Sequence, residues 1–98
     1  MQLVVSAATA HGITETSGPG WIQIEDGRVV ASGAGAPPSP ADLHVDVLAP
    51  GFIDAQINGA YGADFASASD DDWIRIAESL PSTGVTAMVP TFITAPIE

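Results

Sequence analysis

Apolar and polar residues alternate in short runs through the first half of the chain. The spacing changes to three and four residues only once, near residue 73. The run Gln2-Leu3-Val4-Val5-Ser6-Ala7 reads as an edge strand, followed by a loop through His11-Gly12. After the turn cluster Ser17-Gly18-Pro19-Gly20, the segment Trp21-Ile22-Gln23-Ile24-Glu25 sets Ile22 and Ile24 against Gln23 and Glu25. Asp26-Gly27 separates it from a second apolar run, Arg28-Val29-Val30-Ala31, and that dipeptide between two such runs predicts a tight hairpin. A two-stranded ribbon cannot cover its own apolar face, so further sheet or another layer is required. The stretch Gly33-Ala34-Gly35-Ala36-Pro37-Pro38-Ser39-Pro40 has no periodicity and predicts a surface loop. His44-Val45-Asp46-Val47-Leu48 then resumes alternation.

Beyond Ala49-Pro50-Gly51 the style is different. Phe52-Ile53-Asp54-Ala55-Gln56-Ile57-Asn58 predicts a strand with Ile53, Ala55 and Ile57 on one face, and Phe52, Asp54, Gln56 and Asn58 on the other. A glycine-bearing loop (Gly59, Gly62) leads to a helix. Ser69 is its N-cap, and Asp70-Asp71-Asp72 lie where the helix dipole favours negative charge. Trp73, Ile76, Ala77 and Leu80 form one apolar stripe, with Trp73, Ile76 and Leu80 expected in the core, and Pro81 is expected to stop the helix. After Ser82-Thr83-Gly84, Val85-Thr86-Ala87-Met88-Val89 predicts another strand. Strand, helix and strand within about 40 residues make a βαβ unit, with parallel pairing and a right-handed crossover. Thr94-Ala95-Pro96-Ile97-Glu98 carries the start signals of a second helix, so the unit reads as unfinished. A parallel sheet needs both faces covered, and two strands with one helix cannot supply that cover.

Composition narrows what such a chain can do. Its 98 residues are 46% hydrophobic and 14% charged, which excludes a disordered, charge-rich chain. Two Arg, no Lys and twelve Asp+Glu give a formal charge of −10, which disfavours nucleic acid and anionic membrane surfaces as partners. Cysteine is absent, so there is neither a disulfide framework nor a thiolate metal site. No basic leader and no 18-residue apolar run is present, so neither a signal peptide nor a membrane span is indicated.

The strand over 52–58 holds the candidate chemistry. In a (β/α)₈ barrel, side chains at the C-terminal ends of the strands reach the active site, and Gln56 and Asn58 hold the last two inward positions. They lie roughly 7 Å apart along a strand rising ~3.3 Å per residue. Polar groups facing an apolar barrel need partners, so the two amides line a wet or ligand-filled mouth or bond to loop backbone. Asp54, deeper in the strand, reads as a structural carboxylate accepting hydrogen bonds. Gly59-Ala60-Tyr61-Gly62 lacks the Gly-Lys-Ser/Thr end of a phosphate loop and reads as a tight turn. Asp70-Asp71-Asp72 lacks calcium-loop spacing, and His11 and His44 read as exposed histidines.

Three stretches in order carry a family resemblance. Leu48-Ala49-Pro50-Gly51-Phe52-Ile53-Asp54 resembles the opening barrel strand of the amidohydrolase superfamily. Asn58-Gly59-Ala60-Tyr61-Gly62-Ala63-Asp64-Phe65 and Ser82-Thr83-Gly84-Val85-Thr86-Ala87-Met88-Val89-Pro90-Thr91-Phe92-Ile93-Thr94 narrow the resemblance to the N-acetylglucosamine-6-phosphate deacetylase family. The resemblance implies an α/β fold with a β-rich leader. Residues 1–49 would form part of a small β-sandwich, and residues 50–98 the first strand–helix–strand of a TIM-like (β/α)₈ barrel that is incomplete in this chain. It implies the N-terminal part of a cytoplasmic, homodimeric enzyme that hydrolyses the acetamide of N-acetylglucosamine 6-phosphate with one divalent metal, zinc. The opening strand of the superfamily normally ends in His-x-His, and here Gln56 and Asn58 replace both histidines, as in a single-metal branch. Gln56, Asn58 and Gly59 are therefore expected to line the active site without binding metal. The metal ligands (a Glu and two His), the general-base Asp and the phosphate grip would lie beyond Glu98, leaving this chain inactive alone. Two other readings are a stand-alone β and βαβ module that binds a partner, and a piece of another amidohydrolase such as a cyclic-amide hydrolase.

Overall fold

The computed structural model describes residues 1–13 and 17–94. The predicted start of a helix at 94–98 falls outside the described residues, apart from Thr94. The chain divides into two compact units, Met1–Pro50 and Gly51–Glu98.

The first unit is a four-stranded mixed sheet. Its strands are β1 (Gln2–Ala10), β2 (Gly18–Glu25), β3 (Arg28–Ala34) and β4 (Leu43–Leu48), in the order β3-β2-β1-β4. The Asp26-Gly27 turn forms as the dipeptide dictates: both residues have positive φ, 49° and 79°, which matches the twist of the strands they join. Two expectations are corrected. Gly33 and Ala34, read as the start of a loop, extend β3 and pair with Trp21 and Gly20 of β2. The run from Gln2 is not an edge strand, because β1 pairs antiparallel with β2 on one side and parallel with β4 on the other. Asp42 explains how β4 is drawn there. Its N–H donates to the Val4 carbonyl and its carboxylate accepts from the Val4 N–H, both at 2.8 Å, so one residue closes the ladder below Leu43. Interior placement also accounts for the burial of Val4, Val5, Ala7 and Ala10, the buried hydrophobic residues among those described in this unit.

The second unit contains the βαβ element. Strands β5 (Phe52–Ile57) and β8 (Val85–Pro90) pair in parallel, with helix α1 (Asp70–Ser79) between them in the chain. Two two-residue strands, β6 (Gly59–Ala60) and β7 (Ala63–Asp64), form a small antiparallel pair before the helix. Pro81 does not end the winding. It sits early in a 3₁₀ turn, Leu80–Thr83, that runs on from α1 and closes at Gly84 with φ 87°. Proline lacks only the N–H that a first-turn residue leaves unused, so it is accommodated there.

The apolar stripe of α1 is less deeply buried than its spacing predicts. Ile76 is wholly buried, Trp73 and Leu80 are half-buried, and Ala77 is exposed. Phe65 is buried and stacks on Trp73, with ring centroids 4.2 Å apart and planes within 9°. By contrast Phe52 and Ile53 are 70% and 71% exposed, and Val89, Phe92 and Ile93 are also exposed.

The start of α1 is a complete capping box. The Ser69 hydroxyl accepts from the Asp72 N–H at 3.2 Å, and the Asp72 carboxylate accepts from the Ser69 N–H at 3.0 Å. Hydrogen bonds from the Ser69 backbone and side chain, and then the Arg75 guanidinium 2.9 Å away, hold the Asp72 carboxyl below its ordinary value of 3.8. A lowered folded pKa stabilises the fold above the ordinary carboxylate range, and that contribution is lost as pH falls through the lowered value. Ser69→Ala is expected to cost about 1 kcal/mol. Asp72→Asn is expected to flatten the fall of thermal midpoint with acidification below about pH 4, measured by circular dichroism.

Candidate functional site

In a parallel pair the C-terminal ends of both strands lie at the same edge of the sheet. Loops at that edge are the usual location of sites in α/β folds. Here the edge gathers Gln56 near the end of β5, Asn58 and Gly59 directly after that strand, and Thr91 just after β8.

The faces of β5 differ from the strict alternation expected from its sequence. The register slips twice. Phe52 and Ile53 lie opposite Val85 and Ala87, and Asp54 and Ile57 lie opposite Met88 and Pro90. Three steps on β5 against two on β8 mean one extra residue, a bulge between Asp54 and Ile57. Partners in register share a face, so Ile57 moves to the face of Asp54, and both are half-buried while Ala55 and Gln56 are exposed. The Asp54 side chain gives the local cause. Its Oδ1 accepts the Gln56 N–H at 3.2 Å, a short-range bond that takes this N–H out of the ladder. Asp54 thus acts as the structural carboxylate its position suggested. The strand ends at Ile57, and Asn58 lies in the bend that follows rather than in the strand.

Three hydrogen bonds fix that bend. The Thr91 N–H donates to the Ile57 carbonyl and the Phe65 N–H to the Asn58 carbonyl, each at 2.8 Å, and the Thr91 hydroxyl donates to Asn58 Oδ1. Gly59 follows with φ 156°, and the Tyr61-Gly62 turn between β6 and β7 has both φ values positive, 51° and 82°. This is the tight turn expected from Gly59-Ala60-Tyr61-Gly62. The turn is tied to α1 twice: the Tyr61 hydroxyl donates to the Ser79 carbonyl at 3.2 Å, and the Arg75 guanidinium donates to the Tyr61 carbonyl at 3.3 Å. Among the described residues, neither the Gln56 side-chain amide nor Asn58 Nδ2 has a hydrogen-bond partner, and both residues are exposed. The edge therefore presents neutral amide groups, chiefly donors, to whatever occupies it.

These residues are poor ligands for a metal ion. Amide oxygens are weak ligands for zinc, and Asn58 Oδ1 is already engaged by Thr91. Among the described residues no three His, Asp or Glu side chains converge to hold an ion. His11 and His44 are exposed in the first unit, with Nδ1 of each 2.8 Å from a serine hydroxyl, Ser17 and Ser6 respectively. No described helix is long and apolar enough to cross a membrane. A groove of about 310 Å³ in the first unit is mainly apolar, and its lining includes Ile22, Val29, Leu48 and Pro50 together with His11 and Ser32.

Sequence reasoning did not identify Thr91 as part of this edge. The signal was present in Val89-Pro90-Thr91, where a hydroxyl follows directly on a parallel strand, but its pairing with Asn58 spans 33 positions.

Comparison with known proteins agrees with the resemblance. The chain is 49% identical over 55 residues to N-acetylglucosamine-6-phosphate deacetylase of Bos taurus, covering 53% of this chain and 13% of that protein. It is 34% identical over 80 residues to the Bacillus subtilis (strain 168) protein of the same name, covering 76% of this chain and 20% of that one. Among solved structures, N-acetyl-D-glucosamine-6-phosphate deacetylase from Mycobacterium smegmatis matches with a TM-score of 0.83 and 38% identity, over 95% of this chain and 27% of that chain. A mutant of that enzyme in complex with N-acetyl-D-glucosamine-6-phosphate matches with the same TM-score and identity. No family model matches. The chain spans between one eighth and one fifth of the length of these two curated relatives.

Proposed function

We propose that this chain supplies the opening part of a metal-dependent N-acetylglucosamine-6-phosphate deacetylase, an amidohydrolase that releases acetate and leaves glucosamine 6-phosphate. The observation that carries the reading is the match in both sequence and fold to deacetylases, with the Gln56–Asn58 edge inside the matched region. In this reading Met1–Pro50 contributes to a small β-sandwich. Gly51–Glu98 contributes the first strand–helix–strand of a (β/α)₈ barrel, whose further strands would cover Phe52, Ile53 and Val89.

Gln56, Asn58 and Gly59 line the mouth of that barrel. Their part is binding and orientation. Exposed amide N–H groups donate to oxygens of the sugar amide, and Gly59 lets the backbone turn tightly beside them. The metal, the group that moves the water's proton and the phosphate grip belong to segments outside this chain. A net charge of −10 with only Arg28 and Arg75 as cationic side chains agrees with a phosphate-binding side elsewhere. In this reading the enzyme is cytoplasmic, where sugar phosphates are retained, and its assembled barrel is a homodimer.

A cyclic-amide hydrolase of the same superfamily is separated from this reading by substrate. The longest product that carries this sequence is expected to release acetate from N-acetylglucosamine 6-phosphate and to leave a hydantoin or a dihydropyrimidine unopened. The reverse preference, read by acetate assay and ring-opening absorbance, would reassign it.

A further inference from the structure

We infer that Thr91 is a positioning residue, which fixes the Asn58 side-chain amide so that its NH₂ group faces the substrate. The inference rests on the deacetylase reading and extends it to a residue and an orientation.

Thr91 binds the end of β5 through two different atoms. Its N–H donates to the Ile57 carbonyl at 2.8 Å, which sets the height of Thr91 against the bend. Its hydroxyl donates to Asn58 Oδ1. The Asn58 carbonyl is separately held by the Phe65 N–H at 2.8 Å, so the backbone carrying the amide has little freedom to rotate. A carboxamide has one acceptor end and one donor end on opposite sides. With Oδ1 committed to Thr91, Nδ2 is turned away from β8, and among the described residues nothing engages it.

Asn58 thereby becomes a fixed donor. An unanchored asparagine could present either end at little cost, and an acceptor end would repel the acetamide carbonyl oxygen that the donor end attracts. A hydroxyl is the smallest group that makes this distinction. Serine retains it, whereas valine keeps the shape of threonine and loses it. The ligand class that fits is a neutral oxygen acceptor, the carbonyl of an N-acetyl group.

The test uses the longest product carrying this sequence, its metal bound, with Thr91→Val, Thr91→Ser and Asn58→Ala made singly and Thr91→Val combined with Asn58→Ala. Thr91→Val is expected to lower kcat/KM for N-acetylglucosamine 6-phosphate about tenfold, and Thr91→Ser to recover most of that loss. In the Asn58→Ala background Thr91→Val is expected to cost no more than about twofold, because the group it positions is gone. Equal rates for the valine and serine variants would overturn the inference, as would an undiminished valine effect in the absence of Asn58. A wild-type protein that releases no acetate would overturn the deacetylase reading itself, and the inference with it.

Discussion

Gly59→Ala is expected to destabilise the protein by about 2–4 kcal/mol and to reduce acetate release at least a hundredfold. Gly59 has φ 156°, and a Cβ placed there would collide with the Ala63 carbonyl oxygen and lie 2.9 Å from Asp64 Cα and 3.0 Å from the Ala63 carbonyl carbon. All three are backbone atoms, so no side-chain rotation relieves the clash. They also belong to β7, the strand that pairs with β6, where Gly59 faces Asp64. Pushing β6 and β7 apart pulls on Phe65, whose N–H holds the Asn58 carbonyl and whose ring stacks on Trp73. One methyl group therefore disturbs both the candidate-site edge and the packing beneath it. Thermal melting and steady-state kinetics on the longest product carrying this sequence measure the two effects. A variant within about 1 kcal/mol and threefold of wild type would show that the turn has another course.

Ile76→Ala should produce a loss of similar size by a different route. Among the described residues Ile76 is the one wholly buried side chain, and those of its unit include only Phe65 besides it as a buried hydrophobic residue. Removing three carbons from a filled core costs about 2–5 kcal/mol, whereas Ile76→Val should cost only about 0.5–1.5 kcal/mol. Ile76 belongs to α1 and not to the Gln56–Thr91 edge, so kcat/KM per folded molecule should be unchanged at low temperature while the melting midpoint falls. A midpoint that does not move would mean that α1 is anchored elsewhere.

Legibility of the fold follows how local its causes are. Asp26-Gly27 needs nothing beyond two residues that tolerate positive φ, and the hairpin forms where the dipeptide stands. Ser69 with the acidic first turn marks the helix start for the same reason, since a cap acts over three residues. The interior placement of β1 was not legible, because it depends on Asp42 clamping Val4 from 38 positions away. Periodicity could not disclose the bulge in β5 either. An Asp54 side chain that bonds the Gln56 N–H looks in the sequence like any polar residue in an alternating strand. Likewise the helical stripe gave the right face of α1 but not its depth of burial, because depth depends on what packs against Trp73 and Leu80.

The candidate site was legible in its residues and not in its mechanics. Gln56 and Asn58 stood out because polar groups at a strand end need an explanation, and the motifs around them resemble one family. How they are held was hidden, since Thr91 belongs to a different strand and the bend at Asn58 breaks the alternation. The tight turn at Gly59–Gly62 is legible in its glycines, whereas its two ties to α1, through Tyr61 and Arg75, join residues 18 and 14 positions apart.

The central claim is that this chain shapes one edge of a deacetylase site whose metal and proton-transfer groups lie elsewhere. Metal-dependent acetate release from N-acetylglucosamine 6-phosphate tests it most directly, measured side by side on residues 1–98 and on the longest product that contains them. The longer product is expected to turn over in a way that a chelator abolishes and added divalent metal restores, with no turnover by residues 1–98 at any metal concentration. Turnover by residues 1–98 alone, or release by the longer product that is indifferent to chelation, would contradict it.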